Sequence, residues 1–181
     1  MVAVSDDSSW TVEGMNVNER ERAFVKAARL LDKAGIVWWL SDGAALGCVR
    51  EGRLLDSDHD IDLGAWSKDL TRMRDVLNNQ GIGRIRRDID SQLQVKRPGV
   101  KFDIHGHNRD GDVVWFPLGR QAEFRYEFPA RLFDRFDMFE FYGRTVRIPS
   151  PHGDYLEAHY GPDWRTPQPV WDWRSDPACL A

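Results

Sequence analysis

Apolar positions recur along this chain with periods that separate helices from strands. After a polar start, Phe24, Ala27, Ala28 and Leu31 make a stripe at helical spacing behind Asn18 and Glu21. Asn18 with Glu21 three positions on is a capping-box pattern, and Gly35 supplies the stop. Ile36 to Leu40 is an unbroken apolar run, read as a buried strand, and Gly43 to Arg50 reads as a short helix. A second strand is expected from Asp60 to Trp66, where Ile61 and Leu63 alternate with Asp60 and Asp62. Lys68 to Gln80 is again helical, with Leu70, Met73, Val76 and Leu77 on one face and Gly81 as its stop. The period then drops to two. Short strands are expected over Ile82 to Ile89, Gln92 to Lys96, Val100 to His105 and Val113 to Phe116, separated by turns at Arg97-Pro98-Gly99 and Asp110-Gly111-Asp112. Phe139 to Tyr142 and Thr145 to Ile148 form a hairpin joined at Gly143-Arg144. Ser150-Pro151 opens a last helix through His159, which Gly161 and Pro162 close.

Helix, strand, short helix, strand, helix and then several antiparallel strands is the order of an α+β domain built on one mixed sheet flanked by helices. The 181 residues fit a single such domain. The expected division is a loose segment over 1–16, the folded domain over 17–165 and a Pro- and Trp-rich tail over 166–181 that lies on its surface. A chain 41% hydrophobic and 30% charged has the composition of a soluble globular protein. Its net charge of −4 argues against nucleic acid as a partner, the stripe Arg84-Ile85-Arg86-Arg87 being its one local exception. Cys48 and Cys179 form neither a metal spacing nor a disulfide framework. No signal-peptide pattern opens the chain and no apolar run is long enough to span a bilayer, so a cytoplasmic location is the expectation.

The chemistry concentrates in two stretches. Asp58, Asp60 and Asp62 put three carboxylates within a few residues, which is costly unless a cation sits among them. Period two points Asp60 and Asp62 to one face of a strand, a rigid platform of hard oxygen ligands suited to Mg2+ or Mn2+, ions that act on phosphates. Asp58 lies at the strand mouth, where it is either a further ligand or a loop acid. Upstream, Gly43 and Ala44 open a helix whose free N–H groups can face an anion, and Arg50 closes it with a charge for a phosphate or a neighbouring acid. Asp103, in mid-strand with Phe102 and Ile104 opposite, completes an acid trio with Asp60 and Asp62. His105 shares the face of Asp103 and can orient it or touch phosphate, whereas His59 and His107 have no ligand spacing and read as surface or supporting histidines. The aromatic clusters at Trp38-Trp39, from Phe124 to Phe141 and at Trp171 to Trp173 read as core and lid packing, and one of them could stack on a base.

Asp42-Gly43-Ala44-Ala45-Leu46-Gly47-Cys48-Val49-Arg50 followed by Asp58-His59-Asp60-Ile61-Asp62 resembles the glycine turn and Asp-x-Asp-[Ile/Val]-Asp run of the LicD/fukutin-related family of the nucleotidyltransferase fold. The stretches from Phe141 to Pro149 and from Tyr155 to Trp164 are similar to that family's closing segment. The resemblance covers roughly residues 20 to 165. It implies a transferase that uses Mg2+ or Mn2+ to move a phospho-alcohol group, such as phosphocholine or ribitol phosphate, from a CDP-linked donor to a glycan or small hydroxylated acceptor. By that resemblance Asp60 and Asp62 bind metal, and Asp103 serves as ligand or as base for the acceptor hydroxyl. Gly43, Ala44, Arg50 and His105 then face the donor, with Asp58 beside the metal. Asp42 stands where the family has glycine and Ala44 where it has a hydroxyl, which removes a phosphate contact and adds negative charge. Nucleotidyl transfer to a small molecule, RNA or protein is the second reading, and a degenerate, non-catalytic binding module the third.

Overall fold

In the computed structural model, residues 18–89, 91–119, 124–168, 172 and 178–179 are described. The expected loose segment over 1–16 and the tail residues Trp171 and Trp173 lie outside them. Helix α1, Glu19–Lys33, starts on the capping box: the Asn18 side chain accepts from Glu21 N–H at 3.1 Å and the Glu21 carboxylate accepts from Asn18 N–H at 2.9 Å. Strand β1 is Trp38–Leu40, α2 is Asp42–Glu51 and β2 is Ile61–Trp66. The helix expected from Lys68 splits into a 3-10 turn at Ser67–Asp69 and α3, Leu70–Asn79.

Strands β3 (Arg84–Ile89), β4 (Gln92–Arg97), β5 (Val100–Asp110), β6 (Val113–Leu118) and β7 (Phe124–Pro129) follow. Two depart from expectation. Strand β5 runs five residues past His105, and its far end, Asn108 to Asp110, turns to pair with β6. Strand β7 had been read only as an aromatic cluster. The late hairpin is β8 (Phe136–Phe141) and β9 (Arg144–Pro149), turning through Tyr142 and Gly143, which both have positive φ (50° and 70°). Helix α4 is His152–Tyr160.

Seven strands make one mixed sheet in the order β1-β2-β5-β4-β3, with β6 and β7 continuing from the end of β5. β2 and β5 are parallel, which sets Asp62 beside Asp103 and Gly64 beside His105; β4 and β5 are antiparallel, which sets Gln94 beside Asp103 and Gln92 beside His105. Period two then sorts the two faces. Ile61, Leu63, Leu93, Val95, Phe102 and Ile104 form one face, all buried, against which α1 and α3 pack. Asp62, Gly64, Gln92, Gln94, Lys101, Asp103 and His105 form the other. A polar sheet face this deep needs a purpose, because buried polar groups are costly unless paired.

Candidate active site

That polar face is the floor of a cavity of about 1100 Å³, walled by α2, by the segment before β2, and by residues of β7, α4 and the stretch after α4. Its volume reaches the upper end of small-molecule sites, about 300–1,000 Å³. Asp42, Asp58, Asp60, Asp62 and Asp103 all line it, with Arg50, Lys101 and His105.

Asp62, on β2, is buried, and burial first and then the carboxylates of Asp42, Asp58, Asp60 and Asp103 push its pKa well above the usual carboxylate range. Asp60 precedes β2; its backbone carbonyl accepts from Arg20 of α1 at 3.1 Å, which ties down the loop. Its side chain is ion-paired with Lys101, which also reaches Asp103 at 2.8 Å. Burial opposes ionisation of Asp60, but hydrogen bonds to Asp58 and Lys101 outweigh it and hold the pKa low. Asp58 carries the opposite shift: burial, then its hydrogen bond to Asp60, raises it to about 7. The two acids therefore titrate as a pair. Burial alone would lower the Lys101 pKa, yet its bonds to Asp103 and Asp60 raise it, so the ammonium stays charged. Asp103 further accepts from Gln92 at 3.3 Å and Gln94 at 3.2 Å. The basic partner of Asp103 is Lys101, two residues away on the same strand face.

Asp42 begins α2 with φ 41°, a left-handed conformation that glycine adopts freely and aspartate at a cost. Its Oδ1 is 3.3 Å from His159 Nε2 on α4. Cys179 Sγ lies 3.6 Å from Nδ1 of the same ring. Burial keeps His159 neutral and the Cys179 thiol protonated, so one tautomer serves both contacts: the thiol donates to Nδ1 and Nε2–H donates to Asp42. Asp42, Asp62 and His105 each offer a ligand atom within 4.8 Å of the others, and this is the group among the described residues with the geometry for a metal ion. Asp42 Oδ2 and His105 Nδ1 are buried without a hydrogen-bond partner, and the grouping of Asp42, Asp62 and His105 is compatible with a divalent cation.

The remaining sequence-derived residues divide. Gly43 lines the cavity, but the space beside its α-carbon is filled by Asp58: a Cβ there would meet Asp58 Oδ2 at 1.8 Å. Ala44, expected at the phosphate seat, faces the core and is 1% exposed; on α2 it is Asp42, Leu46 and Arg50, four residues apart, that face the cavity. Arg50 lines the cavity and pairs with Glu51 at 3.1 Å. His59 is exposed, whereas His107 is packed between Trp39, Phe116 and Phe133, and burial lowers its pKa to about 3. Sequence reasoning treated Asp42 as a liability and passed over Lys101, Gln92, Gln94 and His159. Period two from Asp103 would have found Lys101. Phe124, Tyr126, Tyr160 and Trp164 supply the aromatic wall.

The sequence profile of the LicD/FKTN/FKRP nucleotidyltransferase domain matches residues 35–151. Ribitol-5-phosphate transferase FKTN of Mus musculus is 31% identical over 183 residues, covering 92% of this chain and 38% of that protein. Ribitol 5-phosphate transferase FKRP of Homo sapiens is 38% identical over 164 residues, covering 78% of this chain and 32% of that protein. The chain thus spans about two fifths of the length of the FKTN relatives it matches. Among solved structures, the lincomycin-bound lincosamide antibiotic adenylyltransferase LnuA aligns with a TM-score of 0.53 at 20% identity, over 78% of this chain and 86% of that one. ANT(2")-Ia in complex with adenylyl-2"-tobramycin aligns with a TM-score of 0.55 at 16% identity, over 81% and 78%. These two likenesses establish a shared nucleotidyltransferase fold.

Proposed function

This chain belongs to the LicD/FKTN/FKRP nucleotidyltransferase family, and we propose that its cavity transfers a phospho-alcohol group from a CDP-linked donor to a hydroxyl of a glycan or small acceptor. The observation that carries the reading is the convergence of five carboxylates, Lys101 and His105 in one cavity roomy enough for a nucleotide-diphospho-alcohol. The FKTN and FKRP relatives are ribitol-phosphate transferases, which supports the same class of group.

Mg2+ or Mn2+, held by Asp62 with its neighbouring acids and His105, would neutralise charge on the transferring phosphoryl group. The chain's own residues do the rest. Asp103, fixed by Gln92, Gln94 and Lys101, holds one edge of the site in place. Arg50 offers a guanidinium to the donor's phosphates from the far end of α2. The aromatic side chains of Phe124, Tyr126, Tyr160 and Trp164 keep water from the reacting groups and offer ring faces to a base.

The test is thermal unfolding with CDP-ribitol, CDP-choline and ATP, each with and without Mg2+ or Mn2+. Ligand at a hundred times its Kd stabilises by about 2.7 kcal/mol, a rise of roughly 5–11 °C for a chain of this size. Cation-dependent stabilisation by a CDP-alcohol, followed by transfer seen by phosphorus NMR, is the expected result. A response to ATP alone would replace the reading with nucleotidyl transfer, and silence from all three would leave a binding module.

A further inference from the structure

The basic stretch Arg84-Ile85-Arg86-Arg87 has no part in the cavity chemistry, and it sets a local excess of cations on a chain whose net charge is −4. Its place follows from strand register. Lys96 of β4 is paired with Lys101 of β5 on one side and with Arg84 of β3 on the other. Residues directly opposite in antiparallel strands share a face, so Lys96 and Arg84 continue the polar face that carries Lys101, Asp103 and Gln94 on the cavity floor. At a strand spacing of about 4.7–4.9 Å, the Arg84 backbone lies about 10 Å from that of Lys101. Among the described residues β3 is the last strand on this side of the sheet. Arg84, Arg86 and Lys96 are all exposed, and no described carboxylate is ion-paired with any of them. With Arg97, Gly81 and Gly83 they line a hollow of about 690 Å³. Arg97 contacts Glu19 at 3.5 Å through a terminal nitrogen and leaves Nε buried without a hydrogen-bond partner. The two glycines project no side chain into the hollow, which leaves its cationic groups open to a bulky anion.

Building on the phosphoryl-transfer reading, we propose that this ledge is an acceptor subsite for an acidic glycan. The accepting hydroxyl lies over the acid cluster, and an anionic group of the same molecule binds Arg84, Arg86 and Lys96. One extended molecule reaches both places, because the sheet face runs from Asp103 through Gln94 to Lys96 and Arg84. A guanidinium binds an oxyanion through two parallel N–H donors, and a lysine adds a mobile point charge. The acid cluster repels an anionic acceptor. A cationic ledge beside it offsets that repulsion and fixes which way round the acceptor lies, whereas a neutral acceptor gains neither effect. Nucleic acid is a poorer match: single strands are held by aromatic faces as well as by charge, and no aromatic side chain lines the hollow.

The experiment titrates the full chain, without cation or nucleotide, with maltotriose and with maltotriose phosphorylated on its terminal primary hydroxyl, followed by the backbone amide shifts in NMR. The phosphorylated sugar should bind and move the amides of β3 and the end of β4, and maltotriose should not. The double variant Arg84→Gln, Lys96→Gln should weaken that binding by about fivefold to tenfold, as expected for two exposed charge-assisted contacts. Its unfolding temperature should match the parent's, since both positions are exposed. Arg109→Gln with Arg131→Gln removes the same charge elsewhere on the surface and should change the affinity less than about twofold, because salt screens distant charges. Equal binding of the two sugars would overturn the proposal and leave the cations as guards that keep an open sheet edge from pairing with another chain. Equal losses in the two double variants would reduce the binding to attraction by net charge and overturn it as well. Tighter binding of a uridine oligonucleotide, lost in Arg84→Gln, Lys96→Gln, would give the ledge to nucleic acid instead. The donor reading is separated by its own readout. Binding of the phosphorylated sugar without any CDP-alcohol response would remove only the donor assignment, and a CDP-alcohol response without sugar binding would remove only the ledge.

Discussion

Asp42→Gly should stabilise the protein without a divalent cation and destabilise it, relative to the parent, with one. Asp42 holds φ 41°, a conformation that costs a non-glycine residue about 1–2 kcal/mol. Its carboxylate also lies within 4.8 Å of the Asp62 ligand atom. Two full charges at that distance repel by about 3.5 kcal/mol at an effective dielectric of about 20. Only part of this is felt, because burial and the surrounding carboxylates resist ionisation of Asp62. Against these gains stands the lost contact from His159 at 3.3 Å, worth about 1 kcal/mol. The balance is a gain of about 1–2 kcal/mol, or roughly 2–8 °C in unfolding temperature for a chain of this size. With saturating Mn2+ the sign reverses, since each tenfold of lost affinity removes about 1.4 kcal/mol. The assay is calorimetric unfolding of parent and variant at pH 7, in chelator and in millimolar Mn2+. Asp42→Asn keeps the backbone strain and removes the charge, and so separates the two gains. If Asp42→Gly were less stable than the parent in chelator, the strain and repulsion would have been misjudged; an undiminished Mn2+ response would show that Asp42 does not touch the ion.

Three further outcomes follow from the same geometry. Asp62→Asn removes the carboxyl group whose ionisation burial and the neighbouring acids oppose most, so it should raise the unfolding temperature in chelator while abolishing transfer, and unchanged turnover would refute a role for Asp62 in holding the cation. Asp58, raised to about 7, retains its proton in the native state after the unfolded chain has lost it; without a divalent ion, stability should fall from pH 4 to pH 7, by at most about 1.4 kcal/mol per unit, and level off above. Saturating Mn2+ should flatten or invert that slope, because the ion binds the ionised carboxylates, and a stability that rises with pH in chelator would contradict the assigned direction. Gly64→Ala places a Cβ 2.0 Å from Trp39 Nε1, in a ring cluster with Trp66, His107, Phe133 and Phe136 that has no room to give. Overpacking of this kind costs about 1–3 kcal/mol, and denaturant unfolding within 0.5 kcal/mol of the parent, a bound set by ordinary surface changes, would disprove it.

What was legible in the residues was whatever a local period encodes. The capping box at Asn18, the alternation around Asp62 and the face shared by Asp103 and His105 all follow from side-chain direction within one element, and each stands where it was expected. Register between distant strands is a different quantity. That Asp62 lies beside Asp103 rather than one residue away is decided by the parallel pairing of β2 with β5, across some forty intervening residues. Strand β7 escaped notice for a related reason: Phe124, Tyr126 and Phe128 show the alternation of a strand, but their partners on β6 become visible only once β5 has turned past Gly106. Asp42 could not be weighed from the sequence because what its carboxylate meets depends on a backbone angle. Read as a residue replacing glycine, it subtracts a flexible position and adds an unwanted charge. Placed at φ 41° at the head of α2 with His159 against it, the same residue offers a carboxylate oxygen within 4.8 Å of ligand atoms of Asp62 and His105. A departure from a motif is therefore weighed by what its side chain meets in space, and here Asp42 meets the makings of a ligand set.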